Sequence, residues 1–300
     1  MKIIKKVTVF LVLSLLLSSC YDDFIEDFDY TLTYFSSQQP LRTIVADGDM
    51  TFQVGATLAG MREDDGTAQV FFELDTSLLS EISDASGFTL LPESYYELSN
   101  DSEFDVQPTS HLRVVNVTLN EALFTADPDA LTTTYALPFR ITDATVDSIA
   151  GNNDSISIDS RNITIVAVKY ISQYHGYYYS RGVQYTLDAS GIPVDTLTYF
   201  DDDLSQNDVV EFSTLAIDKV MTSRIGGNLS GGFEFTMNAD GSVSVASSSV
   251  TIEEGTVAYS TEDQTYSIDI TVDKNGTKYK IEEELILRQD PELDLRFEEW

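Results

Sequence analysis

Hydrophobic and polar residues alternate along most of the chain in short runs of period two, broken by Gly, Asn, Asp and Pro. That spacing places every second side chain on one face of a strand and predicts an all-β protein. Tyr266, Ile268, Ile270 and Val272 alternate with Ser267, Asp269, Thr271 and Asp273, turn at Asn275-Gly276, and return as Thr277 to Arg288. Gly232 to Asn238 leads through Ala239-Asp240-Gly241 into Ser242 to Ala246. Asn-Gly and Asp-Gly accept the positive φ that tight hairpins need. Consecutive hairpins of this kind predict an antiparallel up-and-down meander that closes as a barrel or sandwich. Earlier in the chain, Val115, Val117 and Leu119 share a face, as do Val70, Phe72 and Leu74. Arg161 to Tyr170 is dense in β-branched residues and predicts a strand buried on both faces. Only Ser77–Ile82 and Asn120–Phe124 read as helical turns.

One position conflicts with the alternation. Tyr279, Ile281, Leu285 and Leu287 form an apolar face, and Glu283 falls among them. A β-bulge near Glu282–Glu284 would reset the register and is the expected resolution. The alternative is an inner-face carboxylate, which must be paired or must mark a cavity.

The N-terminus has a different pattern. Lys2, Lys5 and Lys6 precede an apolar run, Val7 to Leu17, that ends in Ser18-Ser19-Cys20. The run is shorter than the ~20 residues of a permanent membrane helix. A basic start, a short apolar stretch and small residues predict a secretory signal peptide over residues 1–19. Leu17-Ser18-Ser19-Cys20 resembles the lipobox of bacterial lipoproteins, which implies a lipidated Cys20. It is the chain's one cysteine, so no disulfide competes for it. Residues 20–29 contain Asp22, Asp23, Glu26, Asp27 and Asp29, an acidic tether that resembles the surface-export signal of Bacteroidota lipoproteins. The change of composition near residue 170 divides the remainder into domains at 30–168 and 169–300.

Charge narrows the partners. The chain has 50 acidic and 17 basic residues, a net charge of −33. No Lys/Arg cluster fits nucleic acid. The same charge repels anionic lipid, so membrane attachment is expected through the N-terminal lipid only. A hydrophobic content of 42% argues for a folded protein.

Catalytic chemistry finds little support. The two histidines, His111 and His175, are far apart, and no zinc spacing, nucleophile elbow or phosphate loop is present. No enzyme, cofactor or metal is expected. A glycoside hydrolase needs only two placed carboxylates, and it stays as the less favoured alternative. Asp201-Asp202-Asp203 with Asp208, and Asp47-Gly48-Asp49, invite a calcium reading but lack the spacing of a calcium loop and read as solvated turns. Sugar binding requires flat apolar faces with polar groups around them. The 16 tyrosines are densest at Tyr174 to Tyr179, where strand alternation puts Tyr177 and Tyr179 on one face and Tyr178 on the other. Those rings are candidate glycan contacts, as is Trp300, the one tryptophan. The competing reading is that they fill the second domain's core.

Several strings also carry a resemblance. Leu41-Arg-Thr-Ile-Val45, Leu90-Leu-Pro-Glu-Ser-Tyr-Tyr96 and Tyr135-Ala-Leu-Pro-Phe139 resemble the immunoglobulin-like domain at the N-terminus of many Bacteroidota surface lipoproteins. The second domain is similar to the lipocalin-like antiparallel domain that often follows it. The resemblance implies a non-catalytic lipoprotein of the outer membrane, facing the exterior. It implies a polysaccharide or oligosaccharide ligand in a polysaccharide-utilisation system of the starch-utilisation type. A TonB-dependent transporter and its lid lipoprotein would be its neighbours. A structural or assembly subunit, or an adhesin without glycan binding, is the main alternative. Ser148, Ser155 and Thr196 each lie in an Asp-Ser/Thr-aliphatic string that resembles the O-glycosylation pattern of these bacteria.

Overall fold

The computed structural model describes residues 30–107, 110–151, 156–295 and 297–300. The described residues are all-β, and among them are three one-turn α-helices, α1 (Leu78–Glu81), α2 (Glu121–Phe124) and α3 (Pro291–Asp294). The first domain contains β1 (Leu32–Phe35), β2 (Pro40–Val45), β3 (Thr51–Ala59), β4 (Val70–Leu74), β5 (Thr89–Leu90) and β6 (Tyr96–Leu98). It continues through β7 (Asp105–Val106), β8 (Leu112–Leu119), β9 (Tyr135–Ala144), β10 (Ser148–Ile149) and β11 (Ile163–Ile171). The second domain contains β12 (Gly176–Leu187), β13 (Pro193–Tyr199), β14 (Asp208–Ala216), β15 (Lys219–Ile225) and β16 (Leu229–Met237). It ends with β17 (Val243–Ser247), β18 (Thr251–Ser260), β19 (Thr265–Lys274) and β20 (Thr277–Leu287), and a short β21 (Glu298–Glu299) follows.

Two six-stranded sheets make the first domain. One has the order β10-β1-β3-β8-β6, with β7 on β8; the other has β21-β2-β11-β9-β4, with β5 on β9. Their inner faces share one apolar core, with Phe35, Val54 and Val115 from the first sheet against Ile44, Leu137 and Val166 from the second. The uninterrupted apolar run of β11 has a physical cause. Val166, Val168 and Tyr170 face that core, while Ile163 and Ile165 pack outward against Leu78, Ile82 and Ala85 around α1. The chain thus needs apolar residues on both faces there.

The second domain is a closed eight-stranded barrel. β14 to β20 follow one another as a meander, and β12 joins both ends, pairing with β14 and with β20. The β12–β20 register runs from Tyr178 opposite Leu287 to Leu187 opposite Lys278. β13 stands outside the ring as an appendage of β12. Aromatic rings fill the interior: Phe212 stacks on Tyr266 at 5.3 Å, and Tyr178 lies 4.9 Å from Phe212. Each such burial contributes about 1.5–3 kcal/mol. The hairpin turns lie where the sequence puts them, with Asn275 at φ 56°, Gly276 at φ 84° and Gly241 at φ 83°.

Two sequence expectations need correction. The β19–β20 ladder is continuous, with Ile268 opposite Glu283, so no bulge resets the register there. Glu283 points into the barrel and is buried. The boundary drawn at residue 168 falls inside β11, and the turn at residues 172–175 separates the domains. The tail also returns to the first domain. β21 pairs with β2, and the Trp300 indole N–H donates to the Ile165 carbonyl at 2.7 Å.

Candidate functional site

β12 has two faces of different character. Tyr178, Ser180 and Gln184 point into the barrel and are buried. Tyr177, Tyr179, Arg181 and Val183 point out, by strand alternation. Tyr178 donates its hydroxyl hydrogen bond to the Tyr174 carbonyl at 3.0 Å, and burial pushes its phenol well above the ordinary tyrosine range. It is core and is not available as a platform. Tyr179 is half-buried, and Tyr177 is 40% exposed.

Tyr177 lines a cleft of about 600 Å³ between the domains. The first domain contributes Thr43, Lys169 and Ile171; the barrel contributes His175, Glu211 and Arg288; and the tail adds Asp294 and Glu298. The Arg288 guanidinium lies 5.5 Å from the Tyr177 ring centroid, and the Arg288 backbone N–H donates to the Tyr177 carbonyl at 2.8 Å. The guanidinium packs over the ring, which is still 40% exposed. Burial pushes the His175 imidazole below its ordinary value; Glu211 opposes this and Lys169 adds to it. Neither Lys169 nor Arg288 has a carboxylate within ion-pair distance among the described residues. An aromatic face ringed by ammonium, guanidinium and carboxylate groups offers both donors and acceptors to a ligand rich in hydroxyls. A groove of similar volume on the first domain, beside Tyr96, is walled by Glu73, Glu93, Glu97 and Asp101, with no cationic side chain in its lining among the described residues.

Glu283 occupies a different kind of site. Its carboxyl accepts from Ser180 Oγ at 2.6 Å and from the Gly226 N–H at 2.8 Å. Burial pushes it up to about 7, against the pull of those two donors and of Arg224. The turn Gly226-Gly227-Asn228 is thereby folded into the barrel mouth, with Asn228 Oδ1 accepting from Gln184 Nε2 at 2.9 Å. A Cβ on Gly227 would sit 2.7 Å from Leu197 Cδ2, so β13 closes over the turn. The inward neighbours Ile268, Ile281 and Leu285 carry no second carboxylate. A glycosidase needs its two carboxyl groups ~5–9.5 Å apart on either side of a substrate. Glu283 instead anchors a plug.

The remaining candidates are scattered. Trp300 is half-buried, packs edge-on against Phe88 at 4.7 Å in the first domain and fastens the tail there. Ser148 is half-buried in β10, and Asp147 beside it accepts from Thr31 N and Oγ1, both at 2.8 Å. Thr196 is exposed on β13. Cys20 and Ser155 lie outside the described residues. The aspartate turns hold themselves: Asp201 accepts from Asp203 N, Asp203 accepts from Ser205 N, Asp208 pairs with Arg224, and Asp47 accepts from Gln173. Sequence reasoning missed Lys169, Glu211 and Arg288 as cleft residues. They come from β11, β14 and the residue after β20, more than forty residues apart, with no local signature to join them.

A family model described as a "-like, N-terminal domain" matches residues 28–148. No curated protein matches the chain. Among solved structures the chain is similar to a Bacteroides ovatus protein of unknown function. The two are 22% identical, with 88% of this chain and 96% of that chain covered and a TM-score of 0.68. That likeness spans both domains and is one of fold. A weaker likeness is to an auxiliary nutrient-binding protein of Bacteroides thetaiotaomicron, at 11% identity, 82% and 90% coverage and a TM-score of 0.39. Another is to a Bacteroides ovatus protein provisionally described as carbohydrate binding, at 11% identity, 87% and 83% coverage and a TM-score of 0.30.

Proposed function

We propose that this protein is a non-catalytic, lipid-anchored surface protein that holds a polysaccharide at the cleft around Tyr177. The observation that carries the reading is the Tyr177 ring, 40% exposed, steadied from one side by Arg288 in a cleft of about 600 Å³ with Lys169 and Glu211. A pyranose stacks its C–H face on such a ring and exchanges hydroxyl hydrogen bonds with the charged groups around it. The test is electrophoresis of the soluble chain, residues 21–300, through native gels cast with starch, mannan, xylan, laminarin or pectin. Retardation by at least one polymer, abolished by Tyr177→Ala with the fold intact, supports the reading. Retardation by none overturns it.

The anchor reading rests on Leu17-Ser18-Ser19-Cys20 and on the basic and apolar segments before it. Cys20→Ala is expected to leave the outer-membrane fraction, either as soluble protein or as uncleaved precursor. Mature Cys20→Ala protein in that fraction would refute lipidation. The acidic tether and the family resemblance support display outside the cell beside a TonB-dependent transporter.

We read the first domain as immunoglobulin-like. Support comes from the chain's passage from β1 in one sheet to β2 in the other, and from the parallel β2–β11 pairing. A second functional reading, an assembly subunit that touches no glycan, draws on the β12–β13 hairpin, where Ile192 and Val194 stand 60% and 65% exposed. The gels separate the two, since an assembly subunit is retarded by no polymer.

A further inference from the structure

The outer face of β12 does not end at Tyr177. Four residues on, Arg181 points the same way, about 13 Å further along the strand. Its guanidinium is fixed by Glu284, with Nε at 2.9 Å from Oε2. It lies 5.0 Å from the ring centroid of Phe200, which is 51% exposed. A trough of about 450 Å³ runs from this ring across the outer faces of β20, β19 and β18. Small side chains, Ala258 and Ser267, keep it open, and Thr256, Asp269 and Glu282 bring hydroxyl and carboxylate groups to its walls. The pattern of the Tyr177 cleft is repeated here: a partly exposed aromatic ring with an arginine guanidinium packed over it and hydrogen-bonding groups within reach. Between the two sites the surface is apolar. Tyr179 lies opposite Val209 on one flank and Ile286 on the other, and Val209 is 41% exposed.

The geometry points to a second saccharide site at Phe200, in line with the Tyr177 cleft, so that one uncharged polysaccharide chain engages both. The inference rests on the saccharide reading of the cleft. Charge selects the class of polymer. Asp269, Glu282 and Glu284 outnumber Arg181 and Lys280 in and beside the trough. Glu211, Asp294 and Glu298 outnumber Lys169 and Arg288 in the cleft. A uronate or sulfated polymer would meet net negative charge at both sites and over the whole molecule. A neutral one is not repelled. Two sites joined by one chain bind more tightly than either alone, because the second contact forms at high effective concentration.

The test uses residues 21–300 and whichever neutral polymer of the gel panel retards it, together with the trisaccharide of that polymer. Titration calorimetry of the trisaccharide is expected to give two sites per chain in the wild type and one in Phe200→Ala. Affinity for the intact polymer should fall at least tenfold in Phe200→Ala. The remaining site serves as the control for folding, since Phe200→Ala still binds one trisaccharide at Tyr177. If wild type and Phe200→Ala share one stoichiometry and one polymer affinity, the second site does not exist and the Tyr177 reading stands. If no polymer retards the wild type, the saccharide reading itself fails and takes this inference with it. Retardation by pectin alone among the panel would overturn the choice of a neutral polymer.

Discussion

In the first domain the buried charge is a guanidinium, and in the second it is a carboxyl. Arg113 on β8 is fully buried, and its donors are answered in place: Asp64 takes two hydrogen bonds at 2.6 and 2.8 Å, Ala68 O takes one at 2.7 Å, and Leu112 O one at 3.0 Å. The pair pins the loop between β3 and β4 to the sheet. Glu283 has no such counter-ion among the described residues. Two neutral donors, Ser180 and Gly226, approach it, and Arg224 acts only from a distance. The first domain answers its charge with a partner; in the barrel, burial shifts the carboxyl toward its protonated form. The cause is topological. A two-sheet domain has open ends where a loop can deliver an aspartate, as residues 61–69 do. A closed barrel admits only what its own turns carry, and the turn at 226–228 brings a backbone N–H.

The two arrangements fail in opposite ways. Hydrogen bonding from Arg113 holds the Asp64 carboxyl below its ordinary value, against its own partial burial. A lowered folded-state value gives stability that is present above the unfolded value and lost as pH falls through the folded one. Removing the partner is harsher than titrating it. Arg113→Ala leaves Asp64 facing an empty slot and the Ala68 carbonyl unsatisfied. The expected loss is about 3–5 kcal/mol, read as a lower urea midpoint for the first domain while the barrel's transition stays in place. A loss below about 1 kcal/mol, the range of exposed pairs, would show that the loop is held by something else.

The comparison also shows what the chain reveals before folding. Tyr266, Ile268, Ile270 and Val272 are all buried as their alternation demands, because a half-buried strand has only one way to face. The same alternation placed Glu283 inside. Expecting a bulge meant distrusting that register, since nothing near residue 283 could satisfy a buried acid. Its donors lie 57 and 103 residues away, beyond the reach of any local pattern. The place of Trp300 in the fold was hidden for a related reason. A lone tryptophan at the last position carries no periodicity, and only the paired β2–β21 strands show that its indole belongs to the first domain. Tyr177 and Tyr179 were legible as an outward pair, but Lys169, Arg288 and Phe200 become neighbours only once the barrel closes and docks. Where a site depends on alternation, the sequence carries it; where it depends on closure, the sequence is silent.

The barrel's carboxyl offers the finer test. Burial raises Glu283 to about 7 from the ordinary 4.5, so the folded state favours the protonated form. Its stabilisation is fully present below about pH 4.5 and is lost as pH rises through about 7, the reverse of Asp64. The shift corresponds to about 3 kcal/mol across that window. Glu283→Gln keeps a carbonyl acceptor for the Gly226 N–H and lets the Ser180 hydroxyl turn to accept from the amide, but it cannot ionise. Its unfolding free energy, followed between pH 5 and 8, is expected to match the wild type near pH 5 and to exceed it by about 2–3 kcal/mol at pH 8. His175 opposes this trend in the wild type. Burial lowers its folded-state value, so its contribution grows as pH rises from the acid side. Both chains carry His175, and the difference between them isolates the carboxyl. If the difference stays flat across the range, Glu283 is ionised throughout, and the plug at 226–228 is held by a charge that the barrel tolerates without a proton.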